Sequence, residues 1–161
     1  MKILAIDPGY ERLGIAIIEK LPKNKEVLIF SECFKTSAKS PFHDRLLEIG
    51  QEVEKIIKKY EPKALAMETL FFNTNQKTAM NVAETRGTIT YLAMKHSLSF
   101  YQYTPLQIKI AVTGSGKADK KQVTSMIGRL IRIEKEIAHD DEYDAIACGL
   151  TFFASQSYPQ K

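Results

Sequence analysis

The sequence predicts an α/β domain on a mixed five-stranded sheet, three antiparallel strands followed by parallel ones, flanked by helices. Three observations carry this. Two short apolar runs at the start, KILAID and LGIAIIEK, are separated only by a Pro-Gly turn. From Ser40 the apolar spacing changes to 3 and 4, the period of an amphipathic helix. Beyond it, short apolar runs alternate with helical segments, the pattern of crossover units.

Taken in order, KILAID is the first strand and LGIAIIEK the second. KNKEV is a polar turn into the third, VLIFSECFKT. Loops this short make the three strands antiparallel neighbours. SPFHDRLLEIGQEVEKIIKKY is the first helix. Ser40 is its expected N-cap and Pro41 its first position. Phe42, Leu46, Ile49, Val53, Ile56 and Ile57 share one face. KALAMETL, bounded by Pro62, is the fourth strand, and the intervening helix is long enough for a parallel crossover. A second helix runs from about Asn75 to His96, and SFYQYTP is the fifth strand. After Pro105 come a short helix, a Gly-rich loop, a basic helix and a final helix near Asp140 to Ser155.

With 161 residues and 44% hydrophobic content, residues 1–161 read as one domain with a core of its own. The formal charge of +4 permits a nucleic-acid partner without demanding one. Two distant cysteines, Cys33 and Cys148, sit among apolar neighbours and read as free thiols in a reducing compartment. No run reaches the length of a membrane span and no leader is evident, so a cytoplasmic protein is expected. There is no internal repeat.

Asp7 closes the first apolar strand, just before Pro8-Gly9. It reads either as the anchor of an Asx-turn or as a site residue at the carboxyl end of a central strand. Glu68 closes ALAM in the same way. If strands one and four are parallel neighbours, both acids project from one sheet edge. In HDDEYDAIACGLTFFA, Asp141 and Asp144 are spaced i, i+3 and share a helix face, with Ala145, Ile146, Leu150 and Phe153 packing on the sheet. Each acid alone has an ordinary alternative, a strand-end acid or an acidic first turn. Together they point elsewhere. Like charges about 4 Å apart repel by roughly 4 kcal/mol at an effective dielectric near 20. Four clustered carboxylates therefore call for protonation or a bridging cation. All-oxygen donors suit Mg²⁺ or Mn²⁺. Carboxylate sites with two such ions suit phosphodiester hydrolysis, water being activated at one ion and the leaving oxygen stabilised at the other.

The densest positive stretch runs from Lys109 to Arg132. Its core, TGSGKADKKQ, carries Lys117, Lys120 and Lys121, and Asp119 as an expected helix cap. Such donors position DNA phosphates without reading sequence, or form a solvated helix face. The glycine spacing does not match a P-loop, which excludes a triphosphate site of that kind. Phe71 and Phe72 lie in a loop after Glu68, where an aromatic can stack on an unpaired base or anchor a helix.

IDPG at 6–9 with the following LGIAI, METLFFNTN at 67–75, AETRG at 83–87, LQIKIAVTGSGKADKKQV at 106–123 and DEYDAIACGLT at 141–151 resemble, in collinear order, the RuvC-type Holliday junction resolvases of the ribonuclease H-like superfamily. The resemblance implies a ribonuclease H-like fold and a crossover junction endodeoxyribonuclease of recombination and repair. It implies Asp7, Glu68, Asp141 and Asp144 as ligands of two Mg²⁺ ions, Mn²⁺ being a substitute. A homodimer with the second helix at its interface is implied too, as is a branch-migration motor as partner. By the same route Phe71 is a DNA contact near the crossover, and Lys109 and Lys120 are basic residues near the scissile phosphate. Arg86, Lys117 and Lys121 are further candidate DNA contacts. Small residues are usual between the last two acids, where this chain has Glu142 and Tyr143. Asp140 also precedes Asp141, so an Asp140–Asp144 pair is an alternative register; AIACGL favours Asp141. His139 reads as a capping or surface residue rather than a ligand. Other functions compatible with these residues are a different ribonuclease H-like nuclease acting on branched DNA or ribosomal RNA precursors, a junction-binding protein without activity, and a sugar-kinase-like ATPase.

Overall fold

Side-chain alternation in the strands decides which layer each residue joins. The computed structural model describes residues 1–22, 25–69 and 76–156. Its elements are β1 (Lys2–Asp7), β2 (Arg12–Leu21), β3 (Lys25–Lys35), α1 (Phe42–Tyr60), β4 (Ala64–Glu68), α2 (Gln76–Lys95), β5 (Ser99–Tyr103), α3 (Pro105–Thr113), α4 (Lys120–Leu130) and α5 (Asp140–Gln156). Strand order is β3-β2-β1-β4-β5. β1 and β3 run antiparallel to β2, while β4 runs parallel to β1 and β5 parallel to β4. This is the mixed sheet expected from the sequence.

In β1, Ile3 and Ala5 belong to one buried cluster, with α5 residues such as Ala145, Ile146 and Phe153. Leu4 and Ile6 belong to the other, with Ile49, Val53 and Ile57 of α1 and Ile89 of α2. β4 repeats the division: Ala64 and Ala66 face α5, Leu65 and Met67 face α1 and α2. By this alternation Asp7 and Glu68 continue the α5 face.

That face is lined by small residues, and α5 lies close against it. A Cβ built on Gly149 would sit 2.7 Å from Ile18 Cδ1 and 3.1 Å from Ala5 Cβ. A Cβ on Gly14 would land inside the Asp141 carbonyl. The start of α5 therefore rests directly on β2, where Gly14 pairs with Asp7.

One helix start differs from expectation. α1 begins at Phe42, with Pro41 in the capping position and no side-chain cap. Ser40 does not cap it, because the Pro41 carbonyl itself accepts from the Asp44 and Arg45 amides. The caps of the basic region do form. Asp119 accepts from the Gln122 amide at 2.9 Å while the Gln122 side chain accepts from the Asp119 amide, and Thr104 and Gln107 repeat the arrangement at α3. Phe71, Phe72 and part of the KNKEV turn lie outside the described residues.

Candidate active site

The site is assembled at the carboxyl ends of β1 and β4, under the first turn of α5. Ile6 pairs with Met67 in the parallel ladder, so the next residues, Asp7 and Glu68, stand at one level of the sheet. The i, i+3 spacing brings Asp141 and Asp144 of α5 to them. Burial pushes the Asp7 carboxyl up to about 8, and the negative charges of Asp144, Glu68 and Asp141 push the same way, with Lys120 opposing. The gap from an ordinary aspartate corresponds to roughly 5 kcal/mol against the ionised form. Glu68 is raised by burial and by Asp144, Arg86 and Lys120 opposing. Asp144 is raised by burial, with Lys120 opposing. The first-strand acid is thus no turn anchor alone; it is a half-buried carboxylate on which three others act. Asp140 stands apart from this group. Its side chain is 72% exposed and turned to Lys120.

Two cations hold the outer acids. Arg12 Nε lies 3.2 Å from Asp141 Oδ2. Lys120 Nζ lies 3.2 Å from Asp144 Oδ2 and 3.1 Å from Asp140 Oδ2. Burial works against the Lys120 charge, but hydrogen bonding to Asp140 and the charge of Asp144 outweigh it and raise its pKa. Lys120 is the first residue of α4, so the Asp119 cap fixes where it starts. The Cys33 thiol, half-buried, is 4.0 Å from Asp141 Oδ2. Cys148 is a fully buried free thiol.

A cleft of about 280 Å³ opens over the acids, lined by Glu68, Asp144, Lys109, Lys120, Pro105 and Ile108. It joins Lys109 and Lys120 to the carboxylates. Lys117 and Lys121 line a different groove, of about 590 Å³, with Ser115, Ser125 and Arg129. Arg86, expected at DNA, is buried on α2 and donates to the Glu68 carbonyl. The His139 carbonyl accepts from the Glu142 amide at the start of α5.

Oxygen donors around a half-buried, disfavoured carboxylate fit a hard divalent cation. Among the described residues no three acidic, histidine or cysteine side chains close on one point as they stand. Asp141 and Asp144 are paired instead with Arg12 and Lys120. Arg12 was not singled out in the sequence. Its signal is its place, two residues before Gly14 in the strand that pairs with Asp7. Glu142, where a small residue is usual, is buried and lies 2.5 Å from Lys135 Nζ, which also donates to the Ser31 carbonyl.

The family model for crossover junction endodeoxyribonuclease RuvC matches residues 3–152. A protein of that description from Alkaliphilus metalliredigens is 46% identical over 150 residues, covering 93% of this chain and 91% of that protein. One from Finegoldia magna is 41% identical over the same length, with 93% and 91% coverage. Among solved structures, a T. thermophilus RuvC in complex with a Holliday junction substrate superposes with a TM-score of 0.90 at 28% identity, covering 98% of this chain and 96% of that one. The yeast mitochondrial resolvase Ydc2 shares the fold at 14% identity, with a TM-score of 0.74 over 96% of this chain and 78% of its own. The architecture these proteins share is the ribonuclease H-like fold.

Proposed function

The chain belongs to the RuvC family of crossover junction endodeoxyribonucleases, and from that premise we propose how its residues resolve a four-way DNA junction. The activity is metal-dependent hydrolysis of DNA phosphodiester bonds at Holliday junctions. The observation that carries the residue assignment is Asp7, half-buried at the end of the central strand with Glu68, Asp141 and Asp144 acting on it. These four would hold the ions, two per site, with Mg²⁺ the natural choice for an all-carboxylate set and Mn²⁺ a substitute. When bound, a divalent cation supplies Lewis acidity toward the phosphodiester and the attacking water.

The chain's own groups do the rest. Lys120, which lines the cleft beside Asp144, would offset charge developing on the phosphate. Lys109, on the same cleft wall, neutralises an adjoining phosphate. Arg12 orients Asp141 through their ion pair. Lys117 and Lys121 would track a DNA arm along the neighbouring groove, with phosphate contacts that position without reading bases. Phe71 is retained as the aromatic near the crossover, on the resemblance alone.

A homodimer fits the exposed face of α2. Met80, Tyr91 and Met94 are 64%, 65% and 51% exposed, and a Cβ added at Gly87 between them would meet nothing. An apolar stripe with a small residue at its middle suits helix-on-helix packing with a second copy, giving two sites for two opposed strands. Family membership supports a branch-migration motor as a further partner, one domain over residues 1–161, and a cytoplasmic setting. No helix among the described residues is long and apolar enough to cross a membrane.

The test is cleavage of a labelled four-way junction beside a matched linear duplex, with Mg²⁺ and with chelator. Paired symmetric nicks in the junction alone, lost with chelator, are expected. Cutting of duplex or RNA instead would keep the site and overturn the substrate.

A further inference from the structure

We propose that Arg86 is a positioning residue for cleavage: from α2 it holds the Glu68 end of β4, so that cation affinity at the site is set from the opposite side of the sheet. The proposal rests on the reading of Glu68 as a cation ligand.

Three observations carry it. The first is burial. Arg86 is 9% exposed, and its guanidinium is permanently charged. Such a group is several kcal/mol unfavourable in the interior unless it is paired. Its donor goes to the Glu68 main-chain carbonyl, and its charge acts favourably on the Glu68 carboxylate. The second is where the sheet stops. Pairing between β1 and β4 runs as far as Ile6 and Met67, and after Asp7 the first strand offers only Pro8, which has no N–H for the Glu68 carbonyl. On the other side the Thr69 amide donates to the Tyr103 carbonyl at 2.8 Å. Arg86 supplies the missing restraint to the peptide that carries the ligand. The third is division of labour. Lys120 engages Asp144 and Arg12 engages Asp141, both from the open side. Arg86 engages Glu68 from α2, and its hydrogen bond goes to the main-chain carbonyl rather than to the carboxylate. Outer groups that orient ligands this way typically change metal affinity or activity by roughly 10- to 100-fold when removed.

Arg86 also precedes Gly87, in the exposed stripe of the same helix. A second copy packed on α2 would thus press on the element that positions Glu68.

The experiment measures Mn²⁺ binding to the full chain without DNA, by titration followed with electron paramagnetic resonance. It compares the wild type with Arg86→Met, Arg86→Lys and Asp7→Asn, and adds junction binding in chelator and thermal melts. Arg86→Met is expected to weaken Mn²⁺ binding by about tenfold or more, and to raise the Mn²⁺ midpoint of cleavage in parallel. Junction binding in chelator should stay unchanged. Arg86→Lys, which keeps the charge and one donor, should recover part of the loss. Should Arg86→Met not fold, Arg86→Lys decides: a folded variant with wild-type Mn²⁺ affinity overturns the proposal, and a weakened one supports it. Unchanged Mn²⁺ binding with lost junction binding overturns it in favour of a DNA contact. Loss of Mn²⁺ binding in Asp7→Asn, with both Arg86 variants at wild-type affinity, overturns the Arg86 role alone. Full binding in Asp7→Asn overturns the cation site and the proposal with it.

Discussion

The two faces of the sheet are built from different residues for different ends. Toward α1 and α2 the strands present Leu4, Ile6, Leu13, Ile15, Ile17, Leu65 and Met67. Toward α5 the central positions are Ala5, Ala16, Ala64 and Ala66. Large side chains maximise apolar area and hold helices at full distance. Small ones let α5 approach until its backbone touches β2 at Gly14. Only that approach brings a helix-borne pair of acids against a strand-borne pair. One face is made for stability, and the other gives up apolar area so that four like charges can meet.

The largest effect expected from breaking this contrast is at Asp7. Asp7→Asn should reduce junction cleavage to background, because it removes the acid at the centre of the group. The same change should stabilise the cation-free protein. The folded carboxyl titrates near 8, against 3.8 for the unfolded chain. Its contribution to stability is therefore present below about pH 4 and lost as pH rises through 8. Melting in chelator from pH 4.5 to 9 should show the wild type falling progressively behind Asp7→Asn, by up to roughly 5 kcal/mol at the alkaline end. Parallel curves would mean the acid is not isolated from solvent. Saturating Mg²⁺ should close the gap for the wild type only.

Gly14→Ala comes next. The added carbon cannot be accommodated without moving the Asp141 peptide. A loss of about 3 kcal/mol is expected, the upper part of the overpacking range. Cleavage should fall further than the loss of folded protein explains, since α5 is displaced from Asp7. Ile49→Val makes the matching change on the other face. It should destabilise by about 1 kcal/mol and leave cleavage per folded molecule unchanged. Urea melts paired with junction cleavage read both. Equal activity losses in the two variants would erase the distinction between the faces.

The strands' period of two and the apolar runs ending in Asp7 and Glu68 were enough to expect the sheet and to put both acids at one edge. The i, i+3 pair on α5 was equally legible. What escaped was a class of residue: charges placed on apolar helix faces. Arg45 falls in phase with Ile49 and Val53, Arg86 with Ile89 and Ala93, Glu142 with Ala145 and Gly149, and all three are buried. Their phase was visible, but the partners that make burial tolerable were not. Arg45 donates to the Thr36 hydroxyl at 2.8 Å and to the Tyr10 carbonyl at 3.1 Å. Arg86 meets Glu68, and Glu142 meets Lys135. Each partner arrives from another element, and only the folded sheet brings it there. A charge read from spacing alone goes to the surface, whereas Arg86, a candidate DNA contact by sequence, is buried against Glu68.

The smallest effect separates neighbours within one helical turn. Asp140 and Asp141 both open α5, and either could pair with Asp144 by spacing. Asp141 acts on Asp7 and is held by Arg12, and its backbone rests on Gly14. Asp140 points outward to Lys120 and is mostly exposed. Asp140→Asn should therefore change stability by at most about 0.5 kcal/mol, as for an exposed ion pair. It should leave the Mg²⁺ midpoint of cleavage where it is, because Asp140 is mostly exposed and outside the proposed ligand set. Asp141→Asn should move that midpoint far upward or abolish cleavage. A shifted midpoint in Asp140→Asn with a normal one in Asp141→Asn would move the ligand set one residue toward the start of α5. The chemistry would then sit on the solvent side of the helix, away from the face that the small residues of the sheet were spent to create.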